Sequence, residues 1–155
     1  MINIEFNKVF SDSFDTFKAL DNLSITQASE TSPGTPSSIW QILNHLTIWQ
    51  DFQLKNLTGI PSVDIQEANT WAEEKNVADE KLLNERIALF HTQIEQIKME
   101  ASLLSITDKD MEKKLKTIQD VTVHLSFHLG EIVLIRRQLG HYPKPSEMKA
   151  FLAND

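Results

Sequence analysis

Residues 83–104, LNERIALFHTQIEQIKMEASLL, carry the clearest periodic pattern in the chain. Apolar residues recur along it at alternating intervals of four and three: Leu83, Ile87, Phe90, Ile94, Ile97, Ala101 and Leu104. Such spacing is typical of a helix that presents one apolar stripe to neighbouring helices. The stretch therefore predicts a helix packed within a helical bundle.

Two segments before it also have helical spacing. In the first, four phenylalanines recur at intervals of four, four and three, which places their rings on one face: Phe6, Phe10, Phe14 and Phe17. The second helix is predicted to begin near residues 35–38, because proline suits a first helical turn and Ser38 with Gln41 has capping-box spacing. It runs to Leu57, where the sequence TGIP at residues 58–61 ends it.

A fourth helix is predicted from Thr117, with Asp120 in capping-box position, to Gly140, which two prolines follow closely. Residues 62–76 are polar and irregular, with Trp71 as the one large apolar anchor, and predict a long crossover connection. A chain of 155 residues has the length of one domain. We therefore expect residues 1–155 to form a single all-α domain, a four-helix bundle with one long crossover.

The composition excludes several classes of function. The chain has no cysteine, so disulfides, thiolate ligands and cysteine nucleophiles are ruled out and any metal must be bound by histidine or carboxylate. A net charge of −7 with dispersed basic residues argues against nucleic-acid binding. Because neither a signal peptide nor a membrane-spanning apolar run is evident, we expect a soluble cytoplasmic protein with no membrane partner.

Three histidines form a candidate metal site. His124 and His128 are four residues apart, so they project from one face of the predicted fourth helix and can share an ion. His45 lies among the apolar residues of the second helix and should also point inward. Three imidazoles would leave a coordination position open, as in catalytic zinc sites.

Each histidine taken alone is explained more simply as a buried ring that is hydrogen-bonded to backbone. The H-x-x-x-H spacing is also common, and Leu125 stands where a metalloprotease of the H-E-x-x-H type has its glutamate. The pattern of residues therefore leaves both interpretations open.

Two acidic residues lie near the histidines on the predicted fourth helix. Glu131 is three residues after His128 on the same face and is the candidate catalytic residue, with alternative roles as the partner of a ligand histidine or as a further ligand. Asp120 is one turn before His124 and could orient its ring, but its predicted cap position accounts for it fully, and we prefer the cap.

Other polar residues have weaker claims to the site. Trp49 and Gln41 are each one turn from His45 and could line a pocket. We expect His91 and His141 to be exposed and to bind no metal. Arg136 and Arg137 could hold an anionic thiol cofactor or substrate at a pocket rim, but we prefer the helix dipole as their cause, since it alone favours cations at a helix C-terminus.

One face of the predicted fourth helix should need a cover. Leu125, Leu129 and Val133 point away from the histidines, and their exposure would leave an apolar patch. We therefore expect either a second subunit, in a homodimer, or the N-terminal helix to cover them.

Two segments, SIWQILNHL at residues 38–46 and HLSFHLGEI at residues 124–132, resemble the motifs of the DinB-like superfamily. Its members are similar in having an N-H-L histidine on the second helix and an H-x-x-x-H-x-G-[QE]-I run on the fourth. The resemblance covers almost the whole chain. It implies a DinB-like four-helix bundle with one long crossover, frequent homodimers, and a site for zinc or nickel on His45, His124 and His128.

The resemblance also implies a set of activities. Relatives include bacillithiol and mycothiol S-transferases, a thiol-dependent maleylpyruvate isomerase and proteins described as metal-dependent hydrolases. Our leading hypothesis is a metal-dependent transferase in which a low-molecular-weight thiol attacks a small electrophile. The alternatives are a hydrolase that uses a metal-bound water, in which Glu131 would matter more, and a noncatalytic metal-stabilised protein that binds a ligand.

Overall fold

The computed structural model describes residues 18–153, and every regular element within that range is helical. The helices are α1 (Ile25–Ser29), α2 (Ile39–Thr58), a 3-10 helix (Glu67–Thr70), α3 (Glu80–Ser102), α4 (Met111–Gln138) and α5 (Met148–Ala153). The predicted N-terminal helix with its four phenylalanines lies outside the described residues. The short helices α1 and α5 were not predicted. No helix in residues 18–153 is long and apolar enough to cross a bilayer.

The three long helices pack as a helical bundle around one hydrophobic core, with α2 in contact with both α3 and α4. The apolar stripe predicted for α3 is buried in this core. Its members are Leu83, Phe90, Ile94, Ile97, Ala101 and Leu104, with Ile87 packed against them. The prediction of an all-α bundle is therefore confirmed.

Local interactions fix both ends of α2. The Ser38 hydroxyl accepts from the Gln41 backbone N–H at 3.3 Å, and the Gln41 side-chain oxygen accepts from the Ser38 backbone N–H at 3.1 Å. This is the predicted capping box. At the other end, Gly59 has a φ of 72°, a left-handed conformation that glycine adopts without steric cost.

The start predicted for α4 is wrong, because the helix begins at Met111 rather than at Thr117. Thr117 lies inside it, and its hydroxyl donates to the carbonyl of Lys113 one turn earlier. Asp120 is no capping residue either, since its carboxylate pairs with Lys116 at 2.7 Å. Thr and Asp thus have capping-box spacing inside a helix, where a threonine hydroxyl can bond to the preceding turn.

The end of α4 is close to the predicted position, with Gly140 in the left-handed region at a φ of 77°. Near this end Arg136 is buried and donates to the carbonyls of Ala19 and Asp21 at 2.6 and 3.0 Å. Its guanidinium also lies over the ring of Tyr142. Arg136 therefore joins the C-terminal end of α4 to the segment before α1.

Three apolar residues of α4 were predicted to need a cover, and one of them, Val133, is partly buried against the core. Leu125 and Leu129 are buried in the described structure. The large apolar side chains that α4 exposes are instead Val123, Phe127 and Leu134, at 64%, 69% and 50% of their surface.

Candidate metal centre

The structure brings His45 of α2 together with His124 and His128 of α4. One ring nitrogen from each lies within 4.8 Å of the other two. The Nε2 atoms of His45 and His124 are 3.0 Å apart. In a tetrahedral zinc site with Zn–N bonds of about 2.0–2.1 Å, two ligand nitrogens are separated by roughly 3.3 Å. The cluster therefore has the dimensions to hold one metal ion.

The side chain of Thr70 orients His45. The Nδ1 atom of His45 is 2.6 Å from the Thr70 hydroxyl oxygen, and that hydroxyl is 2.6 Å from the carbonyl oxygen of Glu67. Because the threonine has a single hydroxyl hydrogen, which it donates to the carbonyl, its oxygen accepts from Nδ1–H. This assigns the His45 proton to Nδ1 and leaves the Nε2 lone pair facing the other histidines.

The residue after the 3-10 helix covers the other side of His45. The Trp71 ring is stacked on the His45 ring, with centroids 4.0 Å apart and planes inclined by 16°. The connection is tied to the start of α2, since Gln41 donates to the carbonyl of Ala72 and the Ser38 hydroxyl donates to that of Lys75. Trp71 is therefore the anchor predicted from the sequence, and Gln41 caps a helix and holds the connection.

Glu131 orients His128 from within the same helix. Its Oε2 atom is 3.1 Å from Nδ1 of His128, which leaves Nε2 of that ring for the centre. His124 differs, because its Nδ1 atom has no hydrogen-bond partner within residues 18–153. Asp120, one turn earlier, pairs with Lys116 and has no hydrogen bond to this ring.

The environment keeps two of the rings neutral. Burial is the main cause that lowers the pKa of His45 to about 3, and the neighbouring His128 and His124 lower it further. Burial, with His128 as the second cause, lowers the pKa of His124 to about 4. Both rings are therefore uncharged at neutral pH, and their lone pairs are available to a cation without loss of a proton.

A cleft of about 580 Å³ lies against the histidine cluster. Besides the three histidines, its wall contains Trp49, Trp71, Phe127, Pro36, Ser37, Glu67 and Glu131. An incomplete ligand set that faces such a space leaves room for a small molecule beside a bound ion.

A second cavity of about 250 Å³ shares Trp49 and His124 with this cleft. Gln50 belongs to its wall and is 3% exposed. Neither atom of the Gln50 amide, nor the indole nitrogen of Trp49, has a hydrogen-bond partner in the described part of the chain. These groups are exceptions to the rule that buried polar atoms are paired.

The two remaining histidines lie outside the cluster, as expected. His91 is half-buried on α3 and contacts the ring of Phe90. His141 is half-buried, and its Nε2 atom lies 3.2 Å from the carboxylate of Glu30. The expectation that both would be exposed is wrong, because each packs against a neighbouring side chain.

Comparison with known families gave one finding. The model of the DinB superfamily matches residues 15–131, well over half of the chain. This range contains α1 to α3, the connection between α2 and α3, and α4 as far as Glu131. All three clustered histidines are thus inside the match. Neither the search of curated proteins nor that of solved structures gave a match.

Proposed function

The chain belongs to the DinB superfamily, and from this membership and its histidine cluster we propose that it is a metal-dependent transferase that joins a low-molecular-weight thiol to a small electrophile. The observation that supports this most is the convergence of His45, His124 and His128 beside a cleft of about 580 Å³. Three nitrogens do not complete the coordination of zinc or nickel, so a small molecule can take the open position.

The residues of the chain would hold the ion and prepare its surroundings. His45, His124 and His128 would each provide one neutral nitrogen, while Thr70 and Glu131 hold two of the rings in orientation. A bound divalent ion would supply positive charge that lowers the pKa of a thiol beside it, so that the thiol reacts as a thiolate.

The aromatic wall serves the same chemistry. Trp49, Trp71 and Phe127 surround the cleft with apolar surface. Such surface excludes water, which strengthens electrostatic interactions and keeps water from competing with the thiol for the electrophile. We assign Glu131 the role of a positioning residue, because its carboxylate is already hydrogen-bonded to His128.

A hydrolase is the second candidate, in which water takes the place of the thiol. One observation favours it: Glu131 lines the cleft and could accept a proton from that water. A noncatalytic protein that needs the ion for stability and binds a ligand is the third. With each we propose a small-molecule ligand, a cytoplasmic location and a homodimer.

The test begins with elemental analysis of protein purified without a polyhistidine tag. The metal-loaded protein is then incubated with a set of thiols and a chromogenic aryl halide, and in parallel with chromogenic esters and amides. Thiol conjugate that disappears in the His128→Ala variant supports the transferase, and ester or amide cleavage alone supports the hydrolase. Inactivity in both assays, with a large fall in Tm on metal removal, would support the noncatalytic protein.

A further inference from the structure

The charged and aromatic groups around the cleft have a pattern that the proposed chemistry does not require. Of the ten residues that form its wall, two are acidic, Glu67 and Glu131, and none is lysine or arginine. Three more are the aromatic residues Trp49, Trp71 and Phe127. Carboxylates combined with aromatic faces are the groups with which proteins bind organic cations.

We infer that the cleft selects a thiol that also carries a positively charged amine, an aminothiol, over a thiol that carries a carboxylate. This inference rests on the proposed function, since it concerns the thiol that would bind beside the metal ion. The thiol substrate of the proposed transferase would then be an aminothiol.

The balance of charge in the cleft favours an amine. Three neutral imidazoles add no charge, so the two carboxylates balance the charge of a divalent ion, and a thiolate then brings the total to about minus one. An amine on the thiol restores neutrality, whereas a carboxylate adds a second negative charge. Lys116 lies in the groove next to the cleft, is not part of the cleft wall, and is paired with Asp120 at 2.7 Å.

Glu67 is the carboxylate that is available to such an amine. It is the first residue of the 3-10 helix, and its backbone carbonyl accepts from Thr70, the residue that orients His45. The Glu67 carboxylate has no ion pair or hydrogen bond within the described residues. Glu131, in contrast, is already hydrogen-bonded to His128. The amine of a metal-bound thiol should therefore interact mainly with Glu67.

The test measures binding to the full-length chain loaded with Co²⁺. Cysteamine and 3-mercaptopropionate are titrated separately, and the thiolate-to-cobalt absorption gives a Kd for each. We expect cysteamine to bind more tightly, so that the Kd of 3-mercaptopropionate divided by that of cysteamine exceeds one. Glu67→Gln should reduce this ratio by about threefold to fivefold, the effect of losing an exposed charge pair. Comparing this ratio between variants cancels the different intrinsic acidities of the two thiols.

Two further variants make the result specific. Glu73→Gln is the matched control, because Glu73 is exposed in the same connection and is not part of the cleft wall. It should leave the ratio unchanged. Glu67→Lys should make 3-mercaptopropionate bind more tightly than cysteamine, the reverse of the wild-type preference. Added salt should weaken the preference of the wild-type protein for cysteamine. Cobalt content per chain is measured first, to establish that every variant is loaded.

The outcomes separate the two proposals. If both thiols change the cobalt spectrum but Glu67→Gln leaves the ratio as in wild type, the aminothiol inference is overturned and the transferase proposal stands. If no thiol changes the spectrum, the transferase proposal is overturned, and the inference that depends on it is overturned as well.

Discussion

The two sides of the histidine cluster are built in different ways. On the α4 side, His128 and the residue that orients it, Glu131, are three positions apart on one helix, and His124 lies one turn before. On the α2 side, His45 is oriented by Thr70, which is 25 positions away in the connection. Helix geometry alone places the first set, whereas the second depends on a loop packing against a helix.

A three-ligand site built in this way is more vulnerable on one side than on the other. A regular helix fixes the relative positions of side chains one turn apart, so the α4 side is preorganised as soon as the helix forms. The α2 side is complete only when Thr70 and Trp71 reach His45, which orders a polar connection at an entropic cost. Substitutions on the two sides should therefore have unequal effects.

Removal of a ligand histidine should have the largest effect on either side. We expect His45→Ala, His124→Ala and His128→Ala each to lower metal affinity by more than about 100-fold, since two imidazoles remain. Metal content after dialysis measures this directly. His91→Ala and His141→Ala are the controls and should keep full occupancy; comparable loss in either would show that the ligands are assigned incorrectly.

Removal of the groups that orient the rings should distinguish the two sides. Thr70→Val deletes the hydroxyl while keeping the branched shape, so we expect a loss of metal affinity of about 10- to 100-fold. Glu131→Gln keeps an oxygen that can accept from His128, so its loss should be below about tenfold.

A competition titration with a chelator measures both affinities. Thr70→Ser restores the hydroxyl and should recover most of the wild-type value. We expect metal binding to depend more on Thr70 than on Glu131. A larger loss of metal affinity in Glu131→Gln than in Thr70→Val would refute this.

The response to acid should come from both sides, since the pKa values of His45 and His124 are both lowered. The pKa of His45 in the folded protein is about 3, so the unfolded chain, with an ordinary pKa near 6.5, binds a proton that the folded one does not. The stability of the metal-free protein should therefore fall as pH decreases from about 6.5 towards 3, with His45 contributing roughly 1–2 kcal/mol by pH 5. Urea unfolding at pH 7 and pH 5 measures the change, which should be smaller in His45→Gln. An equal loss in wild type and variant would contradict this assignment.

The smallest effect is expected within α2 itself. Both polar atoms of the Gln41 amide are hydrogen-bonded at the start of the helix, whereas the Gln50 amide is buried without a partner in the described residues. Gln41→Met should lower the free energy of unfolding by about 1–2 kcal/mol, while Gln50→Met should leave it unchanged or raise it by up to about 1 kcal/mol. Thermal unfolding of the two variants side by side makes the comparison, and strong destabilisation by Gln50→Met would indicate that its amide is in fact paired.

Much of the fold and part of the site follow from the sequence because both depend on regular helices. The stripe of α3 and the capping box at Ser38 are local patterns, and His124 with His128 is a helical spacing. The role of Thr70 could not be predicted, because nothing in a polar connection indicates which hydroxyl will reach a ring 25 residues away. The start of α4 was missed because threonine and aspartate at capping-box spacing also occur inside helices.

The placement of Thr70 and Trp71 in the connection has a consequence for the lifetime of the protein. Since both contact His45, binding of an ion by that ring would be thermodynamically linked to closure of the connection, and each would stabilise the other. Loss of the ion should loosen residues 59–79 before it unfolds the helices, which would offer proteases a cleavage site in the metal-free chain. Limited proteolysis would then report metal occupancy, with the bound form resisting cleavage in this segment.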